Sequence, residues 1–294
     1  MAAKVLLLAG ACNALVAPSQ PTKTKLRAAT LEEVERIPTP AFGKTFGDDV
    51  SKLKAAIFHY GATLDRGQGF NPTTGEQYKD RMDRAVAAVE ALCEKGGAPD
   101  VSPEKLRGRW ELVFSSVPHG IFRSSPFFEA IYDSYANVGK PDKAELFFKL
   151  HELQTMSWGA SKIGRVAQTI DPENNMLYSE FDTQIFSLTA IPIIGFWKLL
   201  PTFGGCVVTA SKMNINENAL NLEVEYTTAK PVEGLSGLGE WIWDVKVPVG
   251  AVWKLLPWNR GLPPTCAVEQ VYLDDDVRIA KDTSGQYFVY ARPV

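Results

Sequence analysis

The sequence predicts a mainly β protein of the α+β kind, a closed antiparallel barrel of about 8–9 strands preceded by a pair of helices. Three observations carry this. The hydrophobic period changes from 3.6 to 2 at Gly108. The strands after it are separated by short turn signals such as Asp171-Pro172-Glu173-Asn174-Asn175 and Asn216-Glu217-Asn218. A long antiparallel series with few crossovers favours closure, because a closed sheet leaves no unpaired edge.

Residues 1–30 contain no Asp or Glu, while Lys4, Lys23, Lys25 and Arg27 are basic. Lys4 leads a short apolar stretch, Val5–Ala11, and Ser- and Thr-bearing sequence follows. These residues resemble the two-part, signal-plus-transit leaders of plastid proteins in algae with complex plastids. Leu15 and Cys12 depart from the usual cleavage pattern of such leaders, and the competing reading is an N-terminal strand or helix. Residues 31–47, with Pro38, Pro40, Gly43 and Gly47, read as a linker.

Residues 48–97 carry the helix pair. Val50, Leu53, Ile57, Tyr60 and Leu64 step by three and four after a capping Asp48 or Asp49, and Arg66-Gly67 begins the break. Tyr78, Met82, Val86, Val89 and Leu92 form the second stripe, ended by Lys95-Gly96-Gly97. The barrel spans 105–294. Its first strand alternates Trp110, Leu112 and Phe114 with Arg109, Glu111 and Val113. Further strands are expected at Val166–Ile170, Leu177–Thr183, Val207–Ile215, Leu220–Tyr226, Trp241–Val247, Cys266–Leu273, Val277–Lys281 and Gln286–Arg292. A helical insertion at 122–156, opened by Ser125-Pro126, interrupts the series where it can cover a barrel mouth.

Composition limits what the chain can do. The formal net charge of −3 gives no electrostatic pull toward nucleic acid, so no nucleic-acid partner is expected. Nothing approaches the ~20 apolar residues of a spanning helix, so no transmembrane segment is expected and membrane contact would be peripheral. Cys12, Cys93, Cys206 and Cys266 lack metal-ligand spacing, leaving Cys206 and Cys266 as a pair that can meet across a sheet or as small core residues. His59, His119 and His151 sit in no catalytic motif, and no nucleophile elbow, P-loop or dinucleotide fingerprint occurs. No catalytic residue, cofactor or metal is therefore assigned. Asp274-Asp275-Asp276 lacks the Gly and distal Glu of a calcium loop and reads as a solvated turn.

Three stretches read together carry a resemblance. Lys105–Ser116 holds Gly108-Arg109-Trp110-Glu111-Leu112-Val113-Phe114-Ser115-Ser116. Gly164–Asp171 holds Gly-x-Val-x-Gln-x-Ile-Asp. Tyr272-Leu273-Asp274-Asp275-Asp276-Val277-Arg278-Ile279 is followed by Gly285-Gln286-Tyr287-Phe288-Val289. They resemble the plastid fibrillins, or plastid lipid-associated proteins, over roughly 49–294, with the closing stretch the most specific. The resemblance implies a lipocalin-like barrel that binds hydrophobic molecules (lipid, carotenoid or quinone) in a plastid, at thylakoids or plastoglobules. It also implies that Trp110 closes one barrel end with Arg278 packed over it, against the alternative of direct ligand contact.

Alternation nominates Leu112, Phe114, Phe181, Leu222, Val224, Tyr226, Trp243, Tyr272 and Phe288 as lining, and the resemblance adds Trp110 and Arg278, either of a ligand cavity or of a filled core. Two segments share Trp-Lys-Leu-Leu-Pro, at 197–201 and 253–257. Read as loops or short helices, they offer Phe196, Trp197, Leu200, Trp253, Leu256 and Trp258 to a membrane interface, or fold over the barrel mouth as core. Three functions follow: a non-catalytic carrier of hydrophobic molecules, a coat or scaffold with a filled barrel, and an enzyme acting on pigment or lipid.

Overall fold

The computed structural model describes residues 49–67, 75–117, 121–156, 163–193, 196–230, 245–255 and 259–293; side chains at 75–77, 149–156, 163, 183–193 and 196–204 are not described. The expected leader and linker, His119, Trp243, Leu256 and Trp258 therefore lie outside the described residues.

Helix α1 (Val50–Thr63) is capped by Asp49, whose carboxylate accepts from the Ser51 amide at 3.0 Å. Helix α2 (Gly75–Gly96) follows, and the short α3 (Pro103–Leu106) leads into β1 (Gly108–Ser115). A 3-10 turn (Ile121–Ser124), α4 (Pro126–Ala136) and α5 (Pro141–Met156) form the insertion. Then come β2 (Ile163–Asp171), β3 (Met176–Ile193), β4 (Phe196–Asn216), β5 (Ala219–Lys230), α6 (Val249–Leu255), β6 (Thr265–Leu273), β7 (Val277–Lys281) and β8 (Tyr287–Ala291). The eight strands pair in sequence order, all antiparallel, and β1 pairs with β8 to close the barrel.

Two expectations change. The segment 195–201, expected as a loop or short helix, is a strand in its described part, from Phe196, and Ile185–Ile193 pairs with Phe203–Phe196. Pro192, Gly195 and Pro201 read as punctuation in the sequence, yet both prolines sit in a two-stranded pairing, where a missing donor costs least. Beyond Thr183 on one side and Cys206 on the other, this hairpin pairs with no further strand among the described residues. It is a ribbon of roughly 30 Å at strand rise. The strand expected at Trp241–Val247 shrinks, in its described part, to one bridge between Val247 and Thr227.

Up-and-down order fixes what lies at each end. The β2–β3, β4–β5 and β6–β7 turns share one end with the start of β1 and the end of β8. The β1–β2, β3–β4, β5–β6 and β7–β8 connections share the other. The two long connections, β1–β2 and β5–β6, and the β3–β4 hairpin extension therefore leave from one end.

The described residues pack in two hydrophobic layers. Outside the wall, Leu53, Ile57, Tyr60, Met82, Val89 and Leu92 of the helix pair bury against Phe114, Tyr272, Val277, Ile279 and Val289. Each fully buried large apolar side chain contributes about 1.5–3 kcal/mol. Inside, Trp110, Leu112, Leu177, Phe181, Leu222, Phe288 and Tyr290 pack on Phe122, Phe128, Ile131 and Phe148 of the insertion. The insertion therefore enters the barrel as a plug instead of lying over its mouth.

Candidate functional site

The barrel interior is the candidate site, and three β-bulges decide which side chains face it. A bulge slips the alternation by one residue and exchanges the faces beyond it. In β1, Leu112 pairs with Tyr290 but Phe114 pairs with Val289, so Val113 is extra. In β5, Val224 pairs with Ser211 and Tyr226 with Ala210, so Glu225 is extra. In β6, Gln270 pairs with Ala280 and Tyr272 with Ile279, so Val271 is extra. Phe114, Tyr226 and Tyr272, all expected to line the interior, consequently face outward. Phe114 and Tyr272 lie under the helix pair, and Tyr226 carries the Lys246 ammonium 4.7 Å from its ring centre.

An outer helix meets the barrel at each of these three bulges. A Cβ on Gly61 of α1 would lie 2.3 Å from the Val113 carbonyl oxygen, and one on Gly250 of α6 would lie 2.3 Å from that of Val224. Gly96 of α2 rests on the Tyr272 ring. Only glycine permits the first two approaches.

Trp110, Leu112, Phe181, Leu222, Val224, Arg278 and Phe288 do face inward. Trp110 is fully buried and donates from Nε1 to the Leu106 carbonyl at 2.8 Å. The Arg292 guanidinium lies 4.0 Å from its ring centre, while Arg278 lies 5.7 Å from it and 4.2 Å from that of Tyr290. Arg292 also donates to the carbonyls of Lys105, Arg107 and Asp275, which binds the two ends of the barrel chain together. At the same end, Asp274 accepts from the Tyr272 hydroxyl and the Val277 amide and pairs with Lys54 of α1 at 2.6 Å. The acidic turn thus fastens the helix pair to the barrel.

The plug is anchored by a buried ionic cluster. Arg123 donates from Nε to Glu129 at 3.1 Å, and from Nη2 to Asp282 at 2.5 Å and to Ser284 at 3.1 Å; Glu145 lies 3.3 Å from Nη1. Its guanidinium also lies 4.1 Å from the Tyr132 ring centre. Burial alone would lower the Arg123 pKa, but Glu129, Asp282 and Glu145 outweigh it and raise it. Burial pushes the Glu129 carboxyl up to about 8; Arg123 opposes this, and Asp282 and Asp133 add to it. Deeper in, Gln168 donates to the Ser124 carbonyl of the plug at 2.8 Å and accepts from Arg278 Nη2.

With the plug seated, the cavity left between Arg123, Glu129, Gln168, Leu222, Phe288 and Tyr290 measures about 10 Å³, near the size of one water. The filled-core reading describes this space; a wider pocket of about 880 Å³ also borders Leu222 and Cys266, with Asp133, Asn137 and Met213 in its lining.

The interface candidates separate in the same way. Phe196, Trp197 and Leu200 lie on β4 within the ribbon. Trp253 on α6 is half-buried and edge-on to Phe127 of the plug, with ring centres 6.2 Å apart. Its neighbours are the exposed ones: Leu255 at 81%, Leu262 at 67% and Val245 at 53%, with Val247 and Val252, interleaved with Lys246, Lys254 and Arg260. Sequence reasoning passed over Arg123, Glu129, Gln168 and Tyr290; the Gln-x-Ile-Asp stretch was the one cue to Gln168. Cys206 and Cys266 are both free thiols, with Cys206 paired to Asp182 and Lys230 and Cys266 to Leu222, so they form no bridge.

Among the described residues, no three His, Cys, Asp or Glu side chains gather where they could hold a metal ion, and no helix is long and apolar enough to cross a membrane. A protein-family model, PAP_fibrillin, matches residues 52–291, which takes in both the helix pair and the barrel. No curated protein and no solved structure matches the chain significantly.

Proposed function

The chain belongs to the PAP_fibrillin family of plastid lipid-associated proteins, and from that premise we propose that it attaches to a thylakoid or plastoglobule surface through the plugged end of its barrel. One observation carries this reading. The ribbon of β3 and β4 and the exposed apolar residues around α6 belong to the β3–β4 and β5–β6 connections, which leave the barrel at the same end. From Gln184 to Gly205 the ribbon contains a single charged residue, Lys198. Around α6, Leu255 and Val252 stand beside Lys254 and near Lys246 and Arg260, the pattern of an interfacial segment whose cations reach headgroups while apolar groups enter the acyl boundary. With the plug seated, the barrel is a non-catalytic base that presents these elements at one end.

Flotation of the full chain with vesicles containing anionic lipid tests this. Wild type floats; Trp197→Ser combined with Leu255→Ser stays at the bottom of the gradient with an unchanged circular dichroism spectrum. Equal flotation of both removes this end from lipid contact.

The second reading, carriage of a hydrophobic small molecule such as a lipid, carotenoid or quinone, is supported by the insertion's place inside the barrel. Eight strands enclose room for side chains or one small ligand. Here much of that room is taken by one contiguous segment held through a few polar anchors, so its withdrawal would leave an apolar chamber. A stoichiometric apolar ligand in native mass spectra of protein from lipid-replete cells is expected under this reading, and its absence counts against it.

A further inference from the structure

We propose that the barrel interior receives a long-chain carboxylate, with the apolar tail in the volume that Phe122, Phe128 and Ile131 now fill and the carboxylate on Arg278. The proposal rests on the carriage reading and names its ligand class.

Two arginines are buried among the described residues of this barrel, and of these Arg123 alone has its charge answered there. Arg123 has Glu129, Asp282 and Glu145 around it. Arg278 is 1% exposed, faces inward opposite Leu273 and Tyr290, and has no carboxylate of the described residues within ion-pair distance. Among the described residues it meets two aromatic faces and one neutral amide, and its Nε has no hydrogen-bond partner there. Burial without a counter-ion lowers its pKa to about 10, still well above neutrality, so the guanidinium stays charged. A planar guanidinium with a free Nε is matched to a carboxylate, which can take two parallel donors at once.

The position fits such a ligand. Arg278 lies beside the β6–β7 turn, at the sealed end, while the apolar plug enters from the other. A ligand entering along the plug's path would therefore travel carboxylate first, leaving its tail against Leu112, Phe181, Leu222 and Phe288. Gln168 links the two events. Its carbonyl now occupies Arg278 Nη2 and its amide holds Ser124 of the plug. A carboxylate on Arg278 would displace the Gln168 carbonyl and loosen the hold on Ser124. Neutral ligands of the same length give Arg278 no counter-ion, so discrimination by charge is the signature.

Titration calorimetry of the full chain at pH 8 with hexadecanoate and with methyl hexadecanoate tests this. Wild type is expected to bind the acid about tenfold or more tighter than the ester, as one charge-assisted pair predicts. Arg278→Gln should bring the two within about threefold without weakening the ester. Equal affinity of acid and ester in wild type overturns the proposal while leaving carriage intact, and needs no variant to fold. Binding of neither overturns carriage and the proposal together. Hydrogen exchange gives an independent reading: hexadecanoate should increase exchange at 121–131, and unchanged protection there with bound acid overturns entry by the plug's path.

Discussion

The two ends of this barrel are built by different means. At one end the connections are tight turns, and Trp110 lies between Arg292 and Arg278 while Arg292 ties Lys105, Arg107 and Asp275 together. That closure uses residues distant in sequence, and it locks the first strand to the last. At the other end the closure is one inserted segment, held by Arg123 to Asp282 and by Gln168 to Ser124. The first kind cannot open without breaking the barrel. The second can open by exchanging a few polar contacts and an apolar face. Stability and proposed lipid contact are thus assigned to opposite ends.

The largest test of that contrast is Trp110→Ala, which should cost about 3–5 kcal/mol as a large cavity opens in the core. Urea unfolding should show a single earlier transition, with amide protection falling across all strands. Arg123→Met should cost about 3 kcal/mol, because the buried Asp282 loses its cation and Glu129 loses a hydrogen-bond donor. Here the loss should concentrate in hydrogen exchange at 121–136; equal loss in β1 and β8 would mean that the plug is part of the barrel's cooperative unit. Gly250→Ala should cost about 1–3 kcal/mol by forcing α6 off β5. Its signature is faster exchange at 249–255 with the sealed end untouched.

Glu129 adds a pH dependence of known sign. Its folded pKa, near 8, lies above the ordinary 4.5, so between those values the folded chain holds a proton that the unfolded chain releases. Its contribution to stability is complete below about pH 4.5 and fades as the pH rises to 8. Glu129→Gln should therefore lose less stability than wild type between pH 5 and pH 8; parallel slopes would place this carboxyl outside the titration. The smallest effect belongs to Leu255→Ser, within about 0.5 kcal/mol in stability for an exposed position. It should still weaken flotation, which separates lipid contact from folding.

The order of strands, the helix pair and most turns were legible because period-two and period-3.6 patterns are written in apolar residues. The bulges were not. Val113, Glu225 and Val271 are ordinary strand residues, and nothing in their identity announces the slip that turns Phe114, Tyr226 and Tyr272 outward. Alternation read straight through them assigns the wrong face. The ribbon was masked by its own Pro and Gly, which mark turns in most settings. Arg123 and Glu129 were passed over because buried charges have no periodic signature; only the fold shows which cation answers which acid.

One consequence of the up-and-down order concerns direction. The Lys54–Asp274 pair, near the start of α1, and the Arg292 contacts both lie at the sealed end. The start of α1 and the β6–β7 turn therefore lie at the end opposite the ribbon. A fluorescent reporter attached at the exposed Asp275 would stand on the far side from the proposed contact and leave it unobstructed.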